Sequence, residues 1–154
     1  MKFLRAGDTV SGQEGTVQAI INGQVEDLFM VKEIEGIAGK IKEEVRTLKK
    51  RGVQHKAAGW TGTGTMTIYY VTSLFRRVML DYIKNGRDIY FDIVITNDDP
   101  TSTIGTQTIV LHGCNLDSVV LAKLDVEATS LDEEVSFTFD DADMLETFTL
   151  PSNM

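Results

Sequence analysis

The residues able to do chemistry are few in this chain, and their spacing is poor. Gly62 and Gly64 sit in GWTGTGT at 59–65. That run lacks the Lys-Ser/Thr of a phosphate-binding loop, and it lacks the third glycine and preceding strand of a dinucleotide fingerprint. His112-Gly113-Cys114 would hold a soft metal only with ligands brought from elsewhere. With two histidines and one cysteine in the whole sequence, no Ser/His/Asp or Cys/His set assembles. Asp98 and Asp99 precede Pro100, where carboxylates form turns more readily than they form a catalytic pair. These positions imply no catalytic residue, no cofactor and no metal, so the expectation is a protein that is not an enzyme.

What remains is chemistry of recognition. Residues 42–58, KEEVRTLKKRGVQHKAA, make a basic island with Lys42, Arg46, Lys49, Lys50, Arg51, His55 and Lys56. A charge run of this kind reads as a solvated face or weakly packed short helix, or as a projecting loop that docks on an acidic partner. The Asp- and Glu-rich C-terminal third of the same chain is one such partner. Nucleic acid is disfavoured, because no aromatic residue is interleaved with the bases. Arg76 and Arg77 fall near the start of an expected helix, where the dipole opposes them. They need solvent or an acidic neighbour.

The bulk properties narrow the setting. At 154 residues, 42% hydrophobic and 25% charged, the chain fits one domain with a sizeable core. No apolar run approaches the length of a membrane span, and no signal-type apolar segment follows Lys2 and Arg5. A single cysteine excludes an internal disulfide and fits a reducing compartment. The net charge of −8 argues against a protein that coats DNA and suits one that DNA passes without adhering.

The elements that would position these residues are mostly strands. Residues 1–15 contain three glycines and no helical period, so they read as an extended arm, frayed or ordered by a neighbour. Strand 16–21 meets Asn22-Gly23, a strong hairpin signal, and a return strand starts at Gln24. From Leu28 to about Ile41 the pattern is β-like with imperfect alternation, a helix over Leu28–Glu35 being the competing reading. In the stretch 59–86, Thr61, Thr63, Thr65 and Thr67 share one strand face, and Gly62, Gly64, Met66 and Ile68 share the other with Trp60 and Tyr70. Two glycines so close mark either a bulge in a half-buried strand or a thin face pressed on another backbone. A helix follows, capped by Thr72 or Ser73 and ended by Gly86, with Leu74, Phe75, Val78, Met79, Tyr82 and Ile83 as its apolar face.

Ile89–Thr96, Gln107–His112, Leu116–Ala128 and Leu131–Asp141 complete the strands, and the polar loop 97–106 is expected to be mobile at its tip. The last two strands alternate cleanly, with Asp125 and Glu127 opposite Leu124 and Val126. The tail 142–154 has no clear element. The sum is a mainly β protein, a β-sandwich or partial barrel of six to seven strands with one α-helix.

Three segments in order then carry a resemblance: SGQEGTVQAIING at 11–23, KAAGWTGTGTMTIYYVTSLFRRVMLDYIKNG at 56–86 and LDEEVSFTFDDADM at 131–144. An S-G-x-x-G start, a G-x-G strand leading through T-S into a helix ending K-x-G, and a final E-x-x-F-T-F strand resemble the tail tube protein of contractile-tailed phages, defective prophages and phage-tail-like bacteriocins. The basic island departs from that pattern. The resemblance implies hexameric rings that stack into a tube, with strands of each subunit closing a barrel around a lumen. It also implies sheath, baseplate and tail terminator partners, DNA or other cargo passing without specific binding, and assembly in the bacterial cytoplasm. On it rest two expectations. Glu33, Glu35, Asp125, Glu127 and Glu134 line the lumen. Gly62, Gly64, Arg46, Lys49, Lys50, Arg51, Arg76 and Arg77, with the N-terminal arm, make contacts between subunits or rings. The alternatives are a small acidic binding module that uses loop 97–106, and an enzyme with an unrecognised site.

Overall fold

A computed structural model describes residues 3–151 of the chain. Eight antiparallel strands and one helix follow a 3-10 turn at Ala6–Asp8: β1 (Gly15–Ile21), β2 (Gln24–Asp27), β3 (Val31–Val45), β4 (Gln54–Tyr69), α1 (Leu74–Asn85), β5 (Phe91–Asp98), β6 (Thr106–Ser118), β7 (Asp132–Phe139) and β8 (Asp141–Glu146). The strand order is β2-β1-β5-β6-β7-β4-β3, with β8 added on β6. Strand β6 joins two halves. Its first part pairs with β5 and β8, and Asn115, Leu116 and Ser118 pair with β7. The mainly β architecture with one helix is as expected, with one strand more than the sequence suggested.

Local chemistry explains the firmest elements. Asn22 and Gly23 both adopt positive φ, 53° and 78°, and join β1 to β2 with the twist that antiparallel strands need. In β4 the even-numbered residues Gly62, Gly64, Met66 and Ile68 are buried, while Thr61, Thr63 and Thr65 stay exposed. The helix ends at Gly86 in the left-handed region, whose N–H donates to the Tyr82 carbonyl. At its start, Thr72 Oγ1 accepts from the Leu74 N–H at 3.3 Å.

The core lies between the two halves. Ala19, Phe91, Ile93 and Leu111 come from one, and Met66, Ile68, Val135, Phe137 and Phe139 from the other. Phe75 is only 1% exposed, and its ring centroid lies 6.4 Å from that of Phe91. Burying one such ring contributes roughly 2–3 kcal/mol, enough to fix the first turns of α1. The last turn is not held this way. Tyr82 and Ile83, expected on the buried face, are exposed.

Several expectations change. The β-like reading of Leu28 to Ile41 holds from Val31 onward in β3, and the competing helix over Leu28–Glu35 does not form; Leu28 and Met30 are buried before β3 begins. The strand expected over Leu116–Ala128 stops at Ser118, and 119–131 is irregular. Its alternation has no facing strand, and Leu124 and Val126 point to solvent. The tail contains β8, whose DADMLE has no strand period and is held by pairing with β6. Within 42–58, strands β3 and β4 continue to Val45 and from Gln54, so only 46–53 is loop. Pairing of Glu43 with Lys56 extends the ladder there.

Candidate assembly surfaces

One side of β3, β4 and β7 is an open face of the subunit. Residues directly opposite in antiparallel strands project to the same side, so the register defines rows. Glu33 faces Thr67, which faces Glu134; Glu35 faces Thr65, which faces Ser136; Ile37 faces Thr63, which faces Thr138. Strands lie about 4.8 Å apart, so Glu33 and Glu134 are about 10 Å from each other, with threonine between them. No Lys or Arg stands in these rows. Three of the five expected lumen carboxylates therefore share one hydroxyl-rich acidic face. Asp125 and Glu127 are not part of it; both are exposed in the irregular 119–131 segment.

Strand β3 bounds this face. It pairs with β4 alone, and it stands at one end of the strand order. Fifteen residues of backbone thus offer unpaired donors and acceptors on one side, beside exposed Ile37 and Ile41. A long edge of this kind invites pairing with another chain unless it is covered.

Gly62 and Gly64 take a different role from the one expected. A Cβ on Gly62 would lie 2.6 Å from ring carbons of Phe139, and one on Gly64 would lie 2.3 Å from Cζ of Phe137. The thin face of β4 is filled by aromatic rings of its own chain, so within the subunit these glycines are core residues. Arg76 is likewise internal. Its guanidinium pairs with Glu133, whose side chain is 1% exposed, and donates to the Thr72 carbonyl. It also lies 4.2 Å from the Tyr70 ring centroid. The acidic neighbour that a cation at a helix start requires is supplied within the subunit. Arg77 is exposed beside it.

Arg46, Lys49, Lys50 and Arg51 crown the β3–β4 hairpin, all exposed, around Leu48 at 94% exposure. Lys49 holds φ at 64° and turns the tip. At the other end of the hairpin lies a groove of about 940 Å³, lined by Glu14, Asp27, Phe29, Glu33, Ile34 and Tyr69 among others. Phe29 is 82% exposed between buried Leu28 and Met30. Sequence reasoning missed this groove. The available signal was the change from strand alternation to Leu28-Phe29-Met30, an apolar trio of which one member cannot be inside.

The N-terminal arm and loop 97–106 are fastened to each other. Asp99 accepts from the Ser11 N–H at 2.9 Å and from Thr101, while Asp8 accepts from Thr103 Oγ1 at 2.7 Å and the Arg5 N–H at 3.0 Å. Thr103 donates its N–H to the Gly7 carbonyl. The Thr103 hydroxyl above all, then the Arg5 amide, holds the Asp8 carboxyl below its ordinary value; the Ser11 and Thr101 amides and hydroxyl do the same for Asp99. Loop 97–106, expected to be mobile at its tip, is thus hydrogen-bonded to residues 5–11 of the arm.

His112 and Cys114 do not converge on a metal. His112 lies between Asp143 and Asp92, at 2.9 and 3.4 Å. Burial lowers its pKa, but the hydrogen bonds and charges of Asp143 and Asp92 outweigh burial and leave it raised. Cys114 is fully buried, and desolvation pushes its thiol up to about 12. Among the described residues no cluster of His, Cys, Asp and Glu is arranged to hold a metal ion.

The surfaces, an acidic hydroxyl face with a long open edge and a basic hairpin far from an acidic groove, are those of a component that meets other chains. Comparison with known proteins agrees. Phage-like element PBSX protein XkdM of Bacillus subtilis (strain 168) is 42% identical over 143 residues, covering 93% of this chain and 95% of that protein. The fold matches the cap of the anti-feeding prophage with a TM-score of 0.71 at 10% identity, over 95% of this chain and 96% of that one. It matches the PVC sheath–tube complex of an extracellular contractile injection system with a TM-score of 0.61 at 13% identity, over 85% and 88%. A family model described as phage tail tube protein matches residues 2–146. The chain belongs to the phage tail tube protein family, a structural family without enzymatic activity.

Proposed function

We propose that this subunit closes into hexameric rings that stack into the inner tube of a contractile, phage-type tail, with the β3–β4–β7 face turned to the lumen. The observation that carries this reading is the unpaired edge of β3 beside that face. Ring closure satisfies the edge, since a barrel formed across subunits leaves no strand without a neighbour. The same closure would bring Glu33, Glu35, Glu134 and the threonines of β4 around a channel. Such a wall repels phosphates and offers no cation from which counterions must be released, so DNA or another anionic cargo slides without being held. Arg77 and the exposed end of α1 then face outward, where a sheath subunit would dock, and baseplate and terminator proteins would close the two ends. Assembly from soluble subunits in the bacterial cytoplasm fits this scheme.

Size-exclusion chromatography followed by negative-stain microscopy of the purified chain tests it. Rings with sixfold class averages, or tubes, are the expected result. A strict monomer at high concentration would overturn the proposal in favour of a small acidic binding module.

A further inference from the structure

We infer that β8 is a pH-governed strap over one edge of β6, held down by His112 while its imidazole carries two protons and loosened when it carries one. Strand β8 follows β7 after Asp140 and pairs with residues 108–112 of β6, whose other side is taken by β5. Little else keeps it there. All six of its residues are exposed, Met144 and Leu145 included, so no apolar side chain is driven inward. Among the described residues, its side chains reach the sheet through two positions. Glu146 accepts from the Thr108 hydroxyl at 3.1 Å, and Asp143 lies 2.9 Å from His112 Nε2. Backbone bonds pin the chain on either side, from the Asp140 N–H to the His112 carbonyl and from the Thr149 N–H to the Ile104 carbonyl. What can lift is the middle.

His112 bridges two strands. Its Nε2 faces Asp143 on β8, and its Nδ1 lies 3.4 Å from Asp92 on β5. A carboxylate only accepts, and a neutral imidazole has one N–H and one lone pair. The imidazolium alone can donate to both, so loss of a proton sets a lone pair against one carboxylate. Asp92 is held in place by the Gly113 N–H, which it accepts at 3.4 Å, whereas Asp143 is 62% exposed and free to turn to water. The bond that gives way is therefore the one to the strap. The surroundings favour the charged ring. Asp141 of β8 stands opposite His112 in register, and Asp140, between β7 and β8, has its carboxylate against Gly113. Among the described residues no lysine or arginine pairs with these four aspartates. On β6 itself, the buried Cys114 thiol is pushed up to about 12 and stays neutral. Burial disfavours the charge on His112, but Asp143 and Asp92 outweigh it. The strap is thus closed below the ordinary value of 6.5 and loosens as pH rises through the higher value of the folded chain. Once lifted, it leaves the N–H and C=O groups of Thr108–His112 open, a second free edge in addition to β3.

Amide hydrogen exchange resolved by residue tests the strap. In the parent chain, protection of residues 142–146, corrected for the intrinsic rate of each amide, is expected to fall roughly two- to fivefold between about pH 5.5 and about pH 9, the scale of a partly exposed ion pair. The fall should follow the NMR titration of the His112 ring, read in a His55→Gln background that leaves one imidazole. Unchanged exchange in β4 and β7 shows that the fold is intact. His112→Gln should be loosened at every pH, without a step. Asp92→Asn offers an amide N–H to the Nδ1 lone pair, so a neutral ring keeps its Nε2–H for Asp143, and protection should persist into alkaline pH. Parent protection that stays level across the ring titration would overturn the inference. So would a step of the same size and midpoint in His112→Gln, or an Asp92→Asn chain that loosens as the parent does. Should His112→Gln fail to fold, the comparison of the parent with Asp92→Asn decides alone.

Discussion

The space above Gly64 is taken by the ring of Phe137, and that above Gly62 by Phe139. A methyl group at Gly64 has no neighbour that can yield cheaply, because Phe137 is fully buried among Met66, Val135 and the rest of the core. Overpacking of this kind costs about 1–3 kcal/mol. Gly64→Ala is therefore expected to lower stability by that amount in urea denaturation, and Phe137→Leu in the same chain is expected to recover part of the loss. A Gly64→Ala variant as stable as the parent would mean that the ring is free to move. Both glycines were visible in the sequence as anomalies, and so was the alternation of Phe137 and Phe139. What the sequence does not hold is the register that places one against the other, since β4 and β7 are separated by the helix and two further strands. Arg76 repeats the lesson. Its need for a counter-charge was legible, but its partner Glu133 lies 57 residues away and is reached only through the fold.

Elements were legible where a local rule decides them. Asn22-Gly23 fixes the first hairpin, period two fixes the faces of β4 and β7, and Gly86 ends α1. They were misread where pairing decides: 119–131 alternates but has no facing strand, and β8 lacks alternation but has one. The arm and loop 97–106 belong to the second kind, each irregular alone and ordered by the other through Asp8 and Asp99. Both carboxyls are depressed in the folded chain, so their contribution is present above the unfolded value of 3.8 and disappears as pH falls through the lower folded values. The clasp is expected to open in acid below that value, seen as faster hydrogen exchange at Arg5, Ser11 and Thr101, whose amides donate to the two carboxylates. Asp8→Asn and Asp99→Asn together should raise exchange at these amides already at neutral pH and flatten its acid dependence. Amides equally protected in parent and double variant at pH 7 would show that the carboxylates do not hold the arm. His112 works in the opposite sense. Its raised pKa supports the fold below the unfolded value of 6.5 and ceases to do so as pH rises through the folded value. The subunit is thus fastened at different places by protonated and by ionised groups, and the interval between the two limits is where both fastenings hold.

At the scale of the whole molecule, the proposed assembly rests on one face and one edge. The rows Glu33–Thr67–Glu134 and Glu35–Thr65–Ser136 are open to solvent in the single chain. If they line the channel of a stacked tube, a probe too wide for the channel reaches them before assembly and not after. Thr65 is suited to carry the reporter because it is exposed and lies in the middle strand of the face. Thr65→Cys is expected to react fully with a bulky maleimide–polyethylene glycol as a free subunit, and to be protected along assembled tubes apart from their ends. A small maleimide should label both forms, because it enters the lumen. Protection against both reagents would place Thr65 inside a protein contact rather than in a channel, and labelling by the bulky reagent in tubes would put the face on the outer wall. The sign of the charge adds a second reading from the same tubes. With Glu33, Glu35 and Glu134 changed to lysine, an inward face gains positive charge where phosphates pass, and counterion release then favours retention of single- or double-stranded DNA in low salt. An outward face would bind DNA on the tube exterior, where nuclease removes it. DNA held by the variant tubes but protected from nuclease is the outcome that an acidic, hydroxyl-lined channel requires.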